Sequence, residues 1–148
     1  MTATGEGPYE FSNLVDFTYD EIKNRLFLLD FDQKRIMVYD LVRNEILEES
    51  IKLDPHVYSI EHFQSKIFCV SSYSQLEKIK IYSDSTFDLI GSGVSTMEEG
   101  FNFVATQENM KVFKDTLFLN IGFTDTIYYS VGEDIKPFAV VGDDLTLM

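Results

Sequence analysis

Arg25-Leu26-Phe27-Leu28-Leu29-Asp30, followed by Arg35-Ile36-Met37-Val38-Tyr39-Asp40, is the stretch that decides the fold. Both runs are short, rich in branched and aromatic side chains, and bounded by Asp, Asn and Gln. That is the composition of strands, and neither run has the i, i+3, i+4 apolar spacing of an amphipathic helix. Asp32-Gln33-Lys34 supplies a polar reversal, so the two runs form an antiparallel hairpin. Leu26-Phe27-Leu28-Leu29 is apolar without alternation, the pattern of a strand covered on both faces.

The unit recurs along the chain. Lys66 to Ser71 with Glu77 to Tyr82, and Thr116 to Ile121 with Thr126 to Val131, repeat the hairpin with reversals at Ser72-Tyr73-Ser74-Gln75 and Gly122-Phe123-Thr124-Asp125. Leu26 to Ile67 is 41 residues and Ile67 to Leu117 is 50. Each hairpin has a further strand on either side: Leu14 to Thr18 and Ile46 to Leu53, Val57 to Phe63 and Thr86 to Ile90, Met110 to Phe113 and Ile135 to Val141. Only Tyr19 to Lys23 and Ser95 to Gly100 suit a helical turn. Four strands every roughly 40–50 residues is the period of a β-propeller blade. The chain therefore reads as one all-β, β-propeller-type domain of about three four-stranded antiparallel blades, half of a six-bladed ring, at roughly 8–53, 54–94 and 99–142. A sandwich or small barrel is the competing arrangement, and it favours strands with one wet face.

Composition narrows the function. With 12 Lys+Arg against 25 Asp+Glu, the 148 residues carry a net charge of −13, which excludes a phosphate-backbone partner and an anionic membrane surface. Hydrophobic residues at 45% exclude disorder. A chain of 17.1 kDa exposes roughly 7,700 Å² folded against roughly 25,000 Å² unfolded, enough burial for one core. No apolar run approaches the roughly 18 residues of a membrane span, and Met1 to Gly7 lacks the regions of a signal peptide, so no membrane insertion is expected. Cys69 is the single cysteine and lies in an apolar run, where it reads as core. No CxxC or HxxxH spacing offers a metal site, and Gly91-Ser92-Gly93 lacks the helix and lysine of a phosphate loop, so neither a metal nor any cofactor is expected.

Three segments carry a resemblance. Gly5-Glu6-Gly7-Pro8-Tyr9-Glu10-Phe11 with Val15-Asp16-Phe17, the hairpin Asn24 to Asp30 with Ile36 to Leu41, and Phe123-Thr124-Asp125-Thr126-Ile127-Tyr128 with Ile135-Lys136-Pro137 resemble, in order and spacing, the six-bladed β-propeller proteins of Bacteroides-type bacteria. The resemblance runs from about Gly5 to Gly142 and implies the cell envelope or periplasm. Six blades need roughly 250–300 residues, and this chain holds about half. The end sheets would each leave an apolar face bare, to be covered by a second copy in a homodimer that completes the ring or by the missing blades of a longer chain. Another blade would start at Gly142 to Met148.

Ligands of propellers gather where the loops lead into the innermost strands. Here those junctions hold Tyr9 and Glu10, His56 and Tyr58, and Phe101 and Asn102. An aromatic beside a polar group suits a carbohydrate or a peptide, while the same aromatics could simply cap the channel. His56 and His62 have no Ser or Cys nucleophile motif beside them and read as structural histidines. Asp30-Phe31-Asp32 lacks the remaining ligands of a calcium loop and reads as a solvated hairpin turn. No catalytic set emerges, so the reading is a non-catalytic binding or scaffolding module for a carbohydrate or a peptide or protein. The alternative is a carbohydrate-active hydrolase or lyase with acidic residues at the channel mouth.

Overall fold

The computed structural model describes residues 5, 7–71, 77–95, 110–121, 126–140 and 146–147. Sheet 1 runs in the order β1 (Leu14–Asp20), β2 (Arg25–Asp30), β3 (Arg35–Asp40), β4 (Glu45–Lys52). Sheet 2 follows as β5 (Val57–Phe63), β6 (Lys66–Ser71), β7 (Glu77–Ser83), β8 (Leu89–Ser95). Sheet 3 comprises β9 (Met110–Phe113), β10 (Thr116–Asn120), β11 (Thr126–Val131) and β12 (Asp134–Val140), with β13 (Thr146–Leu147) beside β12. Every pairing is antiparallel and joins sequence neighbours, and no helix occurs among the described residues.

Two apolar layers bind the three sheets. Phe27, Leu29, Ile36 and Val38 of sheet 1 meet Ile60, Ile67, Cys69 and Tyr82 of sheet 2. On the far side of sheet 2, Phe68, Val70, Ile79 and Ile81 meet Met110, Leu117, Leu119 and Ile121 of sheet 3. Successive residues of β6 alternate between the layers, so Ile67, Phe68, Cys69 and Val70 are all fully buried. That double cover is why the run has no polar alternation. Burial also pushes the Cys69 thiol up, away from the reactive thiolate.

The hairpin turns of sheet 1 share one local design. At the β1–β2 turn, Asp20 Oδ1 accepts from the Ile22 and Lys23 amides at 3.0 and 3.1 Å, and the Tyr19 hydroxyl donates to Asn24 Oδ1 at 3.0 Å. At the β3–β4 turn, Asp40 Oδ1 accepts from the Val42 and Arg43 amides, and Tyr39 donates to Asn44 Oδ1 at 2.7 Å. Asn24 and Asn44 close the turns at φ 50 and 59°, left-handed values that Asn tolerates. The helical turn expected over Tyr19 to Lys23 is therefore replaced by the end of β1 and this Asp-capped reversal.

Three other expectations change. β8 spans Leu89–Ser95 rather than Thr86 to Ile90, because Ser83 N–H bonds Asp88 O, Phe87 N–H bonds Ser83 O and Phe87 takes φ 62°, placing Thr86 and Phe87 in the turn. Gly93 suits this strand because a Cβ there would stand 3.2 Å from Ile135 Cγ1 of sheet 3. Instead of opening another blade, Thr146 and Leu147 pair with Val140 and Ala139 as an extra edge strand. Asp30 is not solvated: it is fully buried and accepts from the Ser12, Asn13 and Gln33 amides, fixing the segment that leads into β1. The reversals at Ser72 to Gln75 and Gly122 to Asp125 lie outside the described residues.

Truncating Phe68 to Ala empties the layer between sheets 2 and 3 and is expected to cost about 3–5 kcal/mol. Ile22→Ala, at an exposed turn, is expected to stay within about 0.5 kcal/mol. Urea unfolding of the two variants measures both.

Candidate functional site

Sheets 1 and 2 meet along their first strands, β1 and β5, and the contact is polar. β5 is the edge of sheet 2, so every second amide of it points away from β6 and needs another acceptor. Side chains of β1 provide them: Ile60 N–H donates to Asp16 Oδ2 at 2.8 Å and His62 N–H donates to Thr18 Oγ1 at 2.9 Å. Ser59 Oγ also donates to Asp16 Oδ2, and Thr18 Oγ1 passes its own proton toward Glu61 Oε1 at 2.9 Å. Asp16, Thr18 and Asp20 occupy alternate positions, so one face of a single strand delivers all three.

A charged cluster ends this row. His62 Nε2 lies 3.0 Å from Asp84 Oδ2 and 4.0 Å from Asp20 Oδ2. Lys23 Nζ lies 2.8 Å from Asp84 Oδ1, and Arg25 Nη2 lies 3.2 Å from Asp20 Oδ2 while donating to the Asp84 carbonyl at 3.0 Å. Arg25 also lies over the Phe27 ring, 5.3 Å from its centre, and that ring stacks on His62 with centroids 5.6 Å apart. The cluster therefore joins the β1–β2 turn, β5 and the β7–β8 turn.

One ligand atom each from Asp20, His62 and Asp84 falls within 4.8 Å of the others, a spacing that could hold a metal ion. The donor set does not fit one. Two carboxylates already face two fixed cations, Lys23 and Arg25, so no net negative charge remains to offset a divalent ion. Nor is the cluster a nucleophile–base pair, since His62 directs Nε2 at a carboxylate. Its chemistry is that of a brace between sheets.

Asp84 lies below its ordinary pKa: burial pushes it up, and the hydrogen bonds and charges of Lys23 and His62 more than reverse that. Glu61 moves the other way. Burial raises it and the Asp16 charge adds to the rise, against the Thr18 and His62 hydrogen bonds and the His62 charge.

The sequence-derived site residues divide. Tyr9 and Glu10 line one open groove of about 740 Å³ with Tyr39, Arg43, Asn44 and Glu48. The Glu10 carboxylate folds back to accept from Gly7 N–H at 3.0 Å, and Arg35 reaches the Gly7 and Glu10 carbonyls, so this loop is internally fixed while the Tyr9 side chain is half exposed. His56 is exposed in the turn before β5 at φ 72°. Tyr58 packs instead against the layer between sheets 2 and 3, where burial pushes its hydroxyl up to about 12. Phe101 and Asn102 lie outside the described residues. The groove itself runs over the open face of sheet 1. Its wall residue Tyr39 pairs with Leu26 as Tyr82 pairs with Ile67, and Tyr82 is buried where sheet 1 covers it, so the groove is the uncovered counterpart of a packed junction.

Residues 1–142 match the family described as a 6-bladed beta-propeller. Among solved structures the chain is similar to a Bacteroides fragilis protein named as exported, at 20% identity and a TM-score of 0.73, over 90% of this chain and 39% of that one. It is also similar to hydrazine synthase of Kuenenia stuttgartiensis, at 12% identity and a TM-score of 0.54 over 83% of this chain and 36% of that one. The computationally designed Ika4 protein is similar at 11% identity and a TM-score of 0.57, over 97% of this chain and 78% of that one. At these identities the likeness is one of fold, and the chain spans about two fifths of the length of the Bacteroides fragilis protein. No curated protein matches the sequence.

Because the native pKa of Asp84 is depressed, its contribution to stability is present above the ordinary carboxylate value near about 4 and is lost as pH falls through the lower native value. Asp84→Asn is expected to flatten the acid limb of the stability curve and to cost on the order of 3 kcal/mol at neutral pH, read from urea melts between acid and neutral pH. Glu61 has the opposite sign: its contribution is present below the ordinary value and lost as pH rises through the elevated native one. Glu61→Gln keeps an acceptor for Thr18 and is expected to raise the melting temperature at pH 7 while leaving it nearly unchanged at pH 4.

Proposed function

We propose that this chain, which belongs to the six-bladed β-propeller family, is a non-catalytic binding or scaffolding module whose ligand is a carbohydrate or a peptide. The observation that carries the reading is the use made of its polar side chains. Asp16, Thr18, Asp20, Lys23, Arg25, His62 and Asp84 are all committed to ties between sheets 1 and 2. A group held by a fixed partner at about 3 Å stabilises the frame and is poorly placed to exchange protons with a substrate.

The surface assigned to a ligand is the rim at which the first strands of the sheets begin. Tyr9 offers a half-exposed ring there on a loop pinned by Gln33 and Arg35, and His56 lies exposed at the corresponding junction of sheet 2. An aromatic ring on a rigid loop can stack on the apolar face of a sugar or hold a peptide side chain at little entropic cost. Placement outside the cytoplasm accords with the exported Bacteroides fragilis protein of the same fold.

Binding of the chain and of Tyr9→Ala to an oligosaccharide array and a peptide library tests the reading. A ligand whose affinity falls at least about tenfold in the variant is expected. Release of reducing sugar from a bound oligosaccharide, abolished by Glu10→Gln, would overturn it in favour of a carbohydrate-active enzyme.

A further inference from the structure

We infer that Lys78 and Ser71, at the rim of sheet 2, form a binding site for a carboxylate group. Ile79 pairs with Val70 of β6, and the next step of that ladder sets Lys78 across from Ser71. Ile79 and Ile81 enter the layer toward sheet 3 while Tyr82 enters the layer toward sheet 1, so Lys78 and Lys80 face sheet 1. Both site residues are nearly enclosed: Lys78 is 8% exposed and Ser71 3%. Sheet 2 has a neighbour on each face, so this burial does not depend on where the chain begins or ends.

A lysine this enclosed ordinarily ends on a carboxylate. Lys80, two residues on, does so at Asp54 in the link to β5. Lys78 does not: among the described residues no acceptor bonds its ammonium, and none bonds the Ser71 hydroxyl. The repeat sharpens the contrast. Ile36 pairs with Leu29 as Ile79 pairs with Val70, so Arg35 and Lys78, one residue earlier, hold the same place in sheets 1 and 2. In sheet 1 that cation is engaged by the Gly7 and Glu10 carbonyls of the loop ahead of β1. The link ahead of β5 is only residues 53–56, and it gives Lys78 no carbonyl.

The ammonium is not sealed. The fully enclosed polar atoms without partners among the described residues are Arg25 Nε and Arg35 Nε, so Lys78 Nζ keeps a path to solvent. Burial with no counter-charge destabilises the charged form and holds Lys78 below the ordinary lysine value. An arriving anion offsets that cost, so an ion pair here gains more than one at an exposed lysine. One positive charge and one hydroxyl match a monoanion. Because Asp54 already takes the Lys80 charge, a phosphate dianion would keep one charge unmatched. The chemistry is that of a carboxylate, on a sugar acid or at a peptide end. The inference rests on the rim reading and names the charged group of its ligand, since Lys78 begins β7 at the end of sheet 2 where His56 leads into β5.

Backbone amide NMR of the 148-residue chain, titrated with acetate, glucuronate, N-acetylglycine, phosphate and glucose, tests it. The Ser71 amide is expected to shift saturably with the three carboxylates and not with glucose. Lys78→Met is expected to raise the carboxylate Kd at least about tenfold, while Lys52→Met, at an exposed position, leaves it unchanged. Lys78→Met also removes an unpaired charge, so its midpoint in urea is expected to equal or exceed that of the parent chain. A lower midpoint overturns the inference by making Lys78 a structural group, and so does phosphate binding tighter than the carboxylates or no saturable shift at Ser71. Tighter glucuronate than N-acetylglycine supports the site and assigns it a sugar acid; the reverse order supports it and assigns a peptide end. Carboxylate binding that Lys78→Met removes and Tyr9→Ala leaves intact upholds this site while overturning Tyr9 as part of the rim, and a neutral ligand lost only in Tyr9→Ala does the opposite.

Discussion

The edge amides of β5 are the groups on which the arrangement of sheets depends. A strand with a neighbour on one side only leaves half of its N–H groups to find other acceptors, and buried between sheets they would be costly without them. In this chain Asp16 and Thr18 receive the Ile60 and His62 amides, so the first strand of sheet 1 caps the edge of sheet 2 through side chains rather than through a ladder. The tie is directional. Apolar layers alone would let two twisted sheets slide, whereas acceptors spaced two residues apart on β1 fit donors spaced two apart on β5 at a single offset.

The charged brace extends that logic outward. Desolvating two carboxylates is unfavourable, and Lys23, Arg25 and His62 offset the cost while linking three segments distant in sequence. Asp20 serves twice: Oδ1 caps its own turn, and Oδ2 meets Arg25 of the same sheet, whose guanidinium in turn donates to the Asp84 carbonyl of sheet 2, so turn geometry and the arm that reaches across are fixed by one side chain. The acidity of the chain as a whole therefore coexists with a junction at which charges are matched.

Much of this was legible in the sequence. The unbroken apolar runs around Leu26 to Leu29 and Ile67 to Val70 demanded cover on both faces, the 41- and 50-residue offsets gave the repeat, and the family match and the fold of the Bacteroides fragilis protein agree with the resemblance read from the motifs. Strand β5 falls where the pattern placed it, at Val57–Phe63. The misplacement of β8 has a physical cause: its middle, Gly91-Ser92-Gly93, carries no apolar side chain, and at Gly93 a Cβ would stand 3.2 Å from Ile135 of sheet 3. The brace was hidden for a different reason, since Asp20, His62 and Asp84 are far apart in the chain and single polar residues near turns look solvated. One signal was available. Tyr19-Asp20 with Lys23-Asn24 and Tyr39-Asp40 with Arg43-Asn44 share a spacing, and that repetition marks a hairpin turn rather than a helix.

The double burial of sheet 2 has a consequence for how the molecule opens. Amides of β6 and β7 lie inside two apolar layers and can meet solvent only after one of them has parted, while sheets 1 and 3 each border a single layer within this chain. Proton exchange with deuterated water should accordingly be slowest in the middle of the chain and fastest toward both ends, a gradient symmetric about sheet 2. Cys69, set at the centre of that gradient, becomes a natural clock: the rate at which a thiol reagent labels it reports the separation of sheets 1 and 2.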